Sequence, residues 1–112
     1  MLEVSTQMNK GIMFIRLEGE LNKKTFPIFS QELNYLLYKQ GIQHYVLNLT
    51  EVKQIDKSAL EYLQNKLIEI FLSCGKVALC GLNETLKERM MRQKDRLFYV
   101  TTEKEVFQYL SI

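Results

Sequence analysis

The spacing of apolar residues changes period several times along this chain, and the order of those changes constrains the fold more than any single motif. From Ile12 to Leu17 apolar side chains run almost unbroken, with Ile12, Phe14 and then Arg16 on one face and Met13, Ile15 and Leu17 on the other. Leu2 to Thr6 reads as a preceding strand, and the turn-forming Asn9-Lys10-Gly11 joins the two into a hairpin. After Gly19 the period lengthens: Phe26, Phe29, Leu33, Leu36 and Leu37 recur at three and four residues, and Pro27 sits where a first helical turn tolerates it. This predicts a helix of about four turns ending near Gly41.

His44 to Leu49 is nearly all apolar, as expected of a central strand buried on both faces of a parallel sheet. From Asp56 the helical period returns with Leu60, Leu63, Leu67 and Ile70 or Phe71, and Gly75 stops it before a buried strand at Val77 to Cys80. Asn83 can cap a short helix carrying Leu86 and Met90, Leu97 to Val100 suits a last strand, and Thr102 and Glu105 form a Thr-x-x-Glu capping box ahead of Val106 and Leu110. The pattern predicts an α/β (α+β) layer, with a mixed, mostly parallel sheet of about five strands and about four helices in a single domain over 1–112. Right-handed crossovers place the helices from Phe26 and Asp56 on the same face.

Composition narrows the function by exclusion. The 112 residues carry 15 Lys and Arg against 13 Asp and Glu, a net charge of +2, too balanced for a nucleic-acid-binding or basic membrane-surface protein. Cys74 and Cys80 belong to no Cys-x-x-Cys or Cys/His cluster, which argues against a metal site, and both are expected reduced and buried. The start, MLEVSTQ, has no leader-like pattern, and no apolar run approaches 18 residues, so a cytoplasmic protein without membrane insertion is expected. Phosphate-cradling glycine motifs and the GxSxG elbow are absent. His44 has no nearby nucleophile, and Glu18 and Glu20 read as a solvated strand edge. No catalytic residue and no cofactor are expected.

The informative segment is Leu47 to Leu60, read as a strand, a loop and a helix start, with Asp56 as N-cap. In an open sheet, partners are met outside the carboxyl ends of the strands, where this segment lies. A phosphate on a hydroxyl there would suit the helix N-terminus yet place about −1.5 to −2 charge on an exposed surface, which blocks docking without unfolding the domain.

The chain resembles the STAS-domain anti-sigma factor antagonists of bacterial partner-switching modules. The resemblance rests on IRLEGELN at 15–22, HYVLNL and IDKSAL within 44–60, and CGKVALCGL at 74–82, in family order and spacing. It implies a STAS-like fold and a partner, an anti-sigma factor that is a serine protein kinase of the histidine-kinase-like ATPase class. It also implies regulation by phosphorylation of the Ser or Thr directly after the loop Asp, reversed by a serine phosphatase. That position here is Lys57, which cannot accept a phosphoryl group in this way. Ala59 replaces the helix-start Gly, and Asn22 stands where the family commonly has an acid.

Ser58 is either a phosphoacceptor displaced by one residue, about 100° around the helix, or a hydroxyl that caps or faces solvent. The expected partner-binding residues are Asn22, Lys23, Asp56, Lys57, Ser58, Glu61 and Tyr62, on a monomer or weak dimer whose binding depends less on phosphorylation than is usual in the family. The alternative is a scaffold STAS subunit of a larger sensory or transport assembly, never phosphorylated, with Met90, Met91, Phe98, Tyr99 and Tyr109 as apolar contact surface.

Overall fold

Lys10 and Gly11 both adopt positive φ, 53° and 82°, the two-residue turn whose twist matches that of paired strands. It joins β1 (Leu2–Asn9) to β2 (Ile12–Leu21) in continuous antiparallel register from Asn9 opposite Ile12 to Leu2 opposite Gly19. The computed structural model describes residues 1–73, 75–82, 84, 88, 97–100 and 102–109. Both strands run beyond the apolar stretch that announced them, because the hairpin ladder continues through polar positions.

α1 (Phe26–Tyr38) follows, with Pro27 in its first turn and Phe26, Phe29, Leu33 and Leu36 buried. β3 (His44–Ile55) lies parallel to β2, α2 (Lys57–Leu72) crosses back, and β4 (Lys76–Cys80) and β5 (Leu97–Val100) add parallel strands. The sheet order is β1-β2-β3-β4-β5, with only the first pair antiparallel. A 3₁₀ turn at Glu103–Glu105 leads into α3 (Val106–Tyr109).

Two apolar layers flank the sheet. Met13, Ile15, Leu17, Tyr45 and Leu47 pack beneath both α1 and α2 in one large cluster, so the two helices share a face. Ile12, Phe14, Val46, Ala78 and Cys80 form a smaller cluster on the opposite face, closed by Val106 of α3. Strands apolar on both sides are what a covered parallel sheet requires.

Three expectations need correction. Among the described residues there are two full helices rather than about four, since the C-terminal one is a four-residue turn. The segment 50–55, read as a loop, is strand: it stays hydrogen-bonded to Glu18–Leu21 of β2, with register shifts on the way, although its side chains are mostly exposed. The Thr102–Glu105 pair does not form a capping box, because the Thr102 side chain caps no backbone N–H and its hydroxyl instead lies 3.4 Å from the Glu105 carboxylate. Phe71 is exposed and Ile70 takes the core position. The helix expected from Asn83 and the thiol of Cys74 fall outside the described residues, as do Met90 and Met91.

Gly81 ends β4 at φ 77°, and a Cβ there would overlap the backbone and hydroxyl of Thr50. The close approach of β4's end to β3 therefore requires glycine.

Candidate partner-binding site

At the carboxyl end of β2 the chain reverses in a turn built by its own side chains. The Asn22 Oδ1 atom accepts the N–H groups of Lys24 at 2.9 Å and Thr25 at 3.1 Å. The Thr25 hydroxyl donates to the Glu20 carbonyl at 2.7 Å and accepts the Asn22 N–H at 2.9 Å. An aspartate would offer the same acceptor oxygen, so an acid at position 22 would keep the turn and differ from Asn22 in charge.

Asp56 ties this turn to α2. Its backbone N–H donates to the Leu21 carbonyl at 3.1 Å, which sets the end of β3 beside the end of β2. One carboxylate oxygen caps α2 by accepting the Ala59 N–H at 2.7 Å, and the other accepts the Lys23 N–H at 3.1 Å. A single side chain thus satisfies an orphan donor at a helix start and a second donor 33 residues earlier.

The expected residues separate into two sets. Lys23, Ser58 and Tyr62 line one groove, which continues along α1 past Pro27, Ser30 and Asn34. Lys57 and Glu61 lie one helical position away, about 100° around α2, exposed on its flank. Asn22 and Asp56 shape the site from behind. The groove floor is Phe26, 4% exposed, whose ring stacks on Tyr62 at 4.9 Å between centroids and 25° between planes. Tyr62 remains 55% exposed.

Sequence reasoning assigned Phe26 to the core alone and missed Ser30 and Asn34. Their signal was positional: residues 27, 30 and 34 recur at helical spacing beside the buried stripe. Asn34 Oδ1 accepts from Lys66 Nζ at 2.7 Å, and Lys66 pairs with Glu69 at 3.0 Å, so α1 and α2 are joined along the groove. Tyr38 donates to Glu69 from α1, and this hydrogen bond holds the Glu69 carboxyl below its ordinary range and the phenol above its own.

A second polar cluster occupies the opposite face of the sheet. Arg16 donates to Glu103 through Nε at 2.9 Å and Nη2 at 2.7 Å, Asn48 donates to the same carboxylate at 2.9 Å, and Arg16 Nη1 reaches Gln7 at 2.9 Å. The Arg16 hydrogen bonds lower the Glu103 carboxyl from its ordinary value, against a smaller opposing effect of burial. Among the described residues no group of three or more His, Cys, Asp or Glu side chains could hold a metal ion. Nor is any described helix long and apolar enough to cross a membrane.

A profile of the STAS domain matches residues 3–106. The chain belongs to the STAS domain family. A curated relative of this STAS chain, the anti-sigma F factor antagonist of Paenibacillus polymyxa, is 24% identical over 82 residues, which is 73% of this chain and 70% of that protein. A crystal structure of a candidate anti-sigma factor antagonist from Thermotoga maritima superposes with a TM-score of 0.83 at 22% identity, covering 97% of this chain and 95% of that one. The unphosphorylated anti-sigma factor antagonist SpoIIAA superposes at 0.78 with 15% identity, covering 97% and 98%. The phosphorylated Bacillus SpoIIAA gives 0.75 with 16% identity, covering 95% and 97%. At these identities the superpositions establish the STAS fold.

Proposed function

We propose that this STAS domain is an anti-sigma factor antagonist. It binds an anti-sigma factor, a serine protein kinase of the histidine-kinase-like ATPase class, and thereby releases a sigma factor for transcription. The observation that carries the reading is the Asp56 clasp: its two carboxylate bonds join the turn after β2 to the start of α2. They set Lys23, Ser58 and Tyr62 around one groove, with Lys57 and Glu61 beside it. The names of its relatives support the same reading.

Lys57 makes the switch different. It stands directly after Asp56, where the family pattern places the phosphorylated hydroxyl, and it brings a fixed +1 charge in place of a removable one of about −2. A cation in a first helical turn is unfavourable by about 0.3–1 kcal/mol, which the neighbouring Asp56 carboxylate at the N-cap counteracts. Binding by this protein therefore depends less on phosphorylation. Ser58 is exposed and opens on the groove, so a phosphate on it would stand between Lys23 and Tyr62. A serine phosphatase acts in this system only where Ser58 is modified.

The test is affinity purification of the tagged wild-type protein from its native host, with mass spectrometry of both the captured proteins and residues 57–62. Capture of a histidine-kinase-like serine kinase, with Ser58 mainly unmodified, is the expected result. Capture of sensory or membrane-transport assemblies alone would replace this proposal with a scaffold role. Stoichiometric phosphate at Ser58 that abolishes capture would restore the ordinary switch.

A further inference from the structure

Among the described residues β1 pairs only with β2 and forms an edge of the sheet, eight residues long where strands usually run to about five or six. Exposed edges are normally guarded by Pro, Lys, a bulge or a short strand. LEVSTQMN contains neither Pro nor Lys, and its register against β2 is continuous.

The direction of its free backbone groups follows from the hairpin. The two-residue turn makes Asn9 and Ile12 a hydrogen-bonded pair, and the Met1 carbonyl accepts the Glu20 N–H at 3.3 Å at the other end. Odd-numbered residues therefore bond to β2, while Leu2, Val4, Thr6 and Met8 direct their N–H and C=O groups outward, where they meet no strand among the described residues.

The helix above this edge has an exposed apolar stripe on the same side. α1 packs over β1. Asn34, Tyr38 and Phe26 contact Lys66, Glu69 and Tyr62 of α2. Ile28 and Tyr35, seven residues apart on the flank turned away from α2, are 47% and 51% exposed.

We propose that a second copy of this chain pairs along β1, antiparallel about a two-fold axis perpendicular to the sheet, giving one continuous ten-stranded sheet. Such an axis preserves the two faces, so directly paired residues have numbers of the same parity. The register in which all four outward-facing residues pair with one another is centred on Ser5, and it sets Leu2 against Met8 and Val4 against Thr6. Met8, 48% exposed in the single chain, is then covered by an apolar neighbour. Glu3, the strand's one charge, falls opposite the neutral Gln7 of the other copy, so no like charges oppose along the paired strands. The same axis brings the two α1 flanks together in antiparallel fashion, so that Ile28 of one copy lies towards Tyr35 of the other. The groove beside α2 stays open, and this inference does not depend on the partner-binding reading.

Sedimentation equilibrium of the full chain from low to several hundred micromolar tests the proposal, with a shift expected from 13.3 kDa towards twice that mass. Thr6→Pro removes an outward N–H without touching the ladder to β2, so it should return the monomer mass, with a thermal midpoint matching the wild type's at concentrations where the wild type is itself monomeric. The double variant Ile28→Glu/Tyr35→Glu approaches the same interface through the helix and should weaken dimerisation at least tenfold, independently of how the proline is tolerated. A wild-type monomer at every concentration would overturn the proposal, and so would a dimer that survives both variants.

Discussion

The carboxylate of Asp56 and the backbone N–H of Lys23 lie 3.1 Å apart, and this one bond fixes the turn after β2 against the helix after β3. The second carboxylate oxygen caps α2 through Ala59. An asparagine can still cap with its amide oxygen but turns an N–H donor towards Lys23. Asp56→Asn should therefore leave thermal stability within about 0.5 kcal/mol while weakening partner binding, read by calorimetric titration, at least as much as a surface contact would. Asp56→Ala loses both bonds and should cost about 1–2 kcal/mol in urea unfolding. Unchanged partner affinity in Asp56→Asn would show that the bond to Lys23 does not shape the site.

The Arg16–Glu103 pair makes stability depend on pH. The Glu103 carboxyl is lowered from 4.5 by its hydrogen bonds to Arg16, so its contribution is complete above the unfolded value and fades as pH falls through the lower folded one. Arg16 is 38% exposed, and solvent limits the pair to about 0.5–1 kcal/mol. Between pH 5 and pH 3 the wild type should lose that much more stability than Glu103→Gln, measured by urea midpoints. Parallel pH profiles for the two proteins would contradict this.

Gly81 and Gly41 give a paired test of backbone strain. Both have positive φ, 77° and 65°, but a Cβ at Gly81 overlaps Thr50 whereas one at Gly41 meets nothing within 4 Å. Gly41→Ala should cost about 1–2 kcal/mol from conformation alone, and Gly81→Ala about 2–4 kcal/mol because packing strain adds to it. Comparable losses at the two sites would indicate that β4 moves away from Thr50 freely.

Cys80 is buried in the smaller apolar layer, and desolvation, aided by Glu103 and Glu105, pushes its thiol up to about 11. In a Cys74→Ser background, thiol reagents at pH 8 should label Cys80 at least a hundredfold more slowly than in the urea-unfolded protein. Fast labelling would mean that the layer under α3 opens readily.

What the sequence reveals and what it conceals follow one division. The elements whose burial is periodic, α1, α2 and the first halves of β2 and β3, are legible because Phe29, Leu33, Leu63 and Leu67 repeat with the helix and Tyr45 to Leu47 fill both faces of the sheet. Thr50 to Ile55 escapes this reading because its polar side chains conceal a backbone still paired with β2. Asp56 is legible as a helix cap, but its bond to Lys23 depends on how two strand ends meet in space. The same holds for Arg16 and Glu103, 87 residues apart, and for the stacking of Tyr62 on Phe26.

Helix α2 carries two interleaved texts. Ala59, Leu60, Leu63, Leu67 and Ile70 are buried and answer to the fold, while Lys57, Ser58, Glu61 and Tyr62 are exposed and, in the proposed reading, answer to a docking partner. Lys57, Ser58 and Glu61 are exposed, so they can be rewritten at little cost to the buried set, whereas Tyr62 also stacks on buried Phe26. Such a division lets the chemistry of an exposed helix face change while the scaffold beneath it is inherited intact.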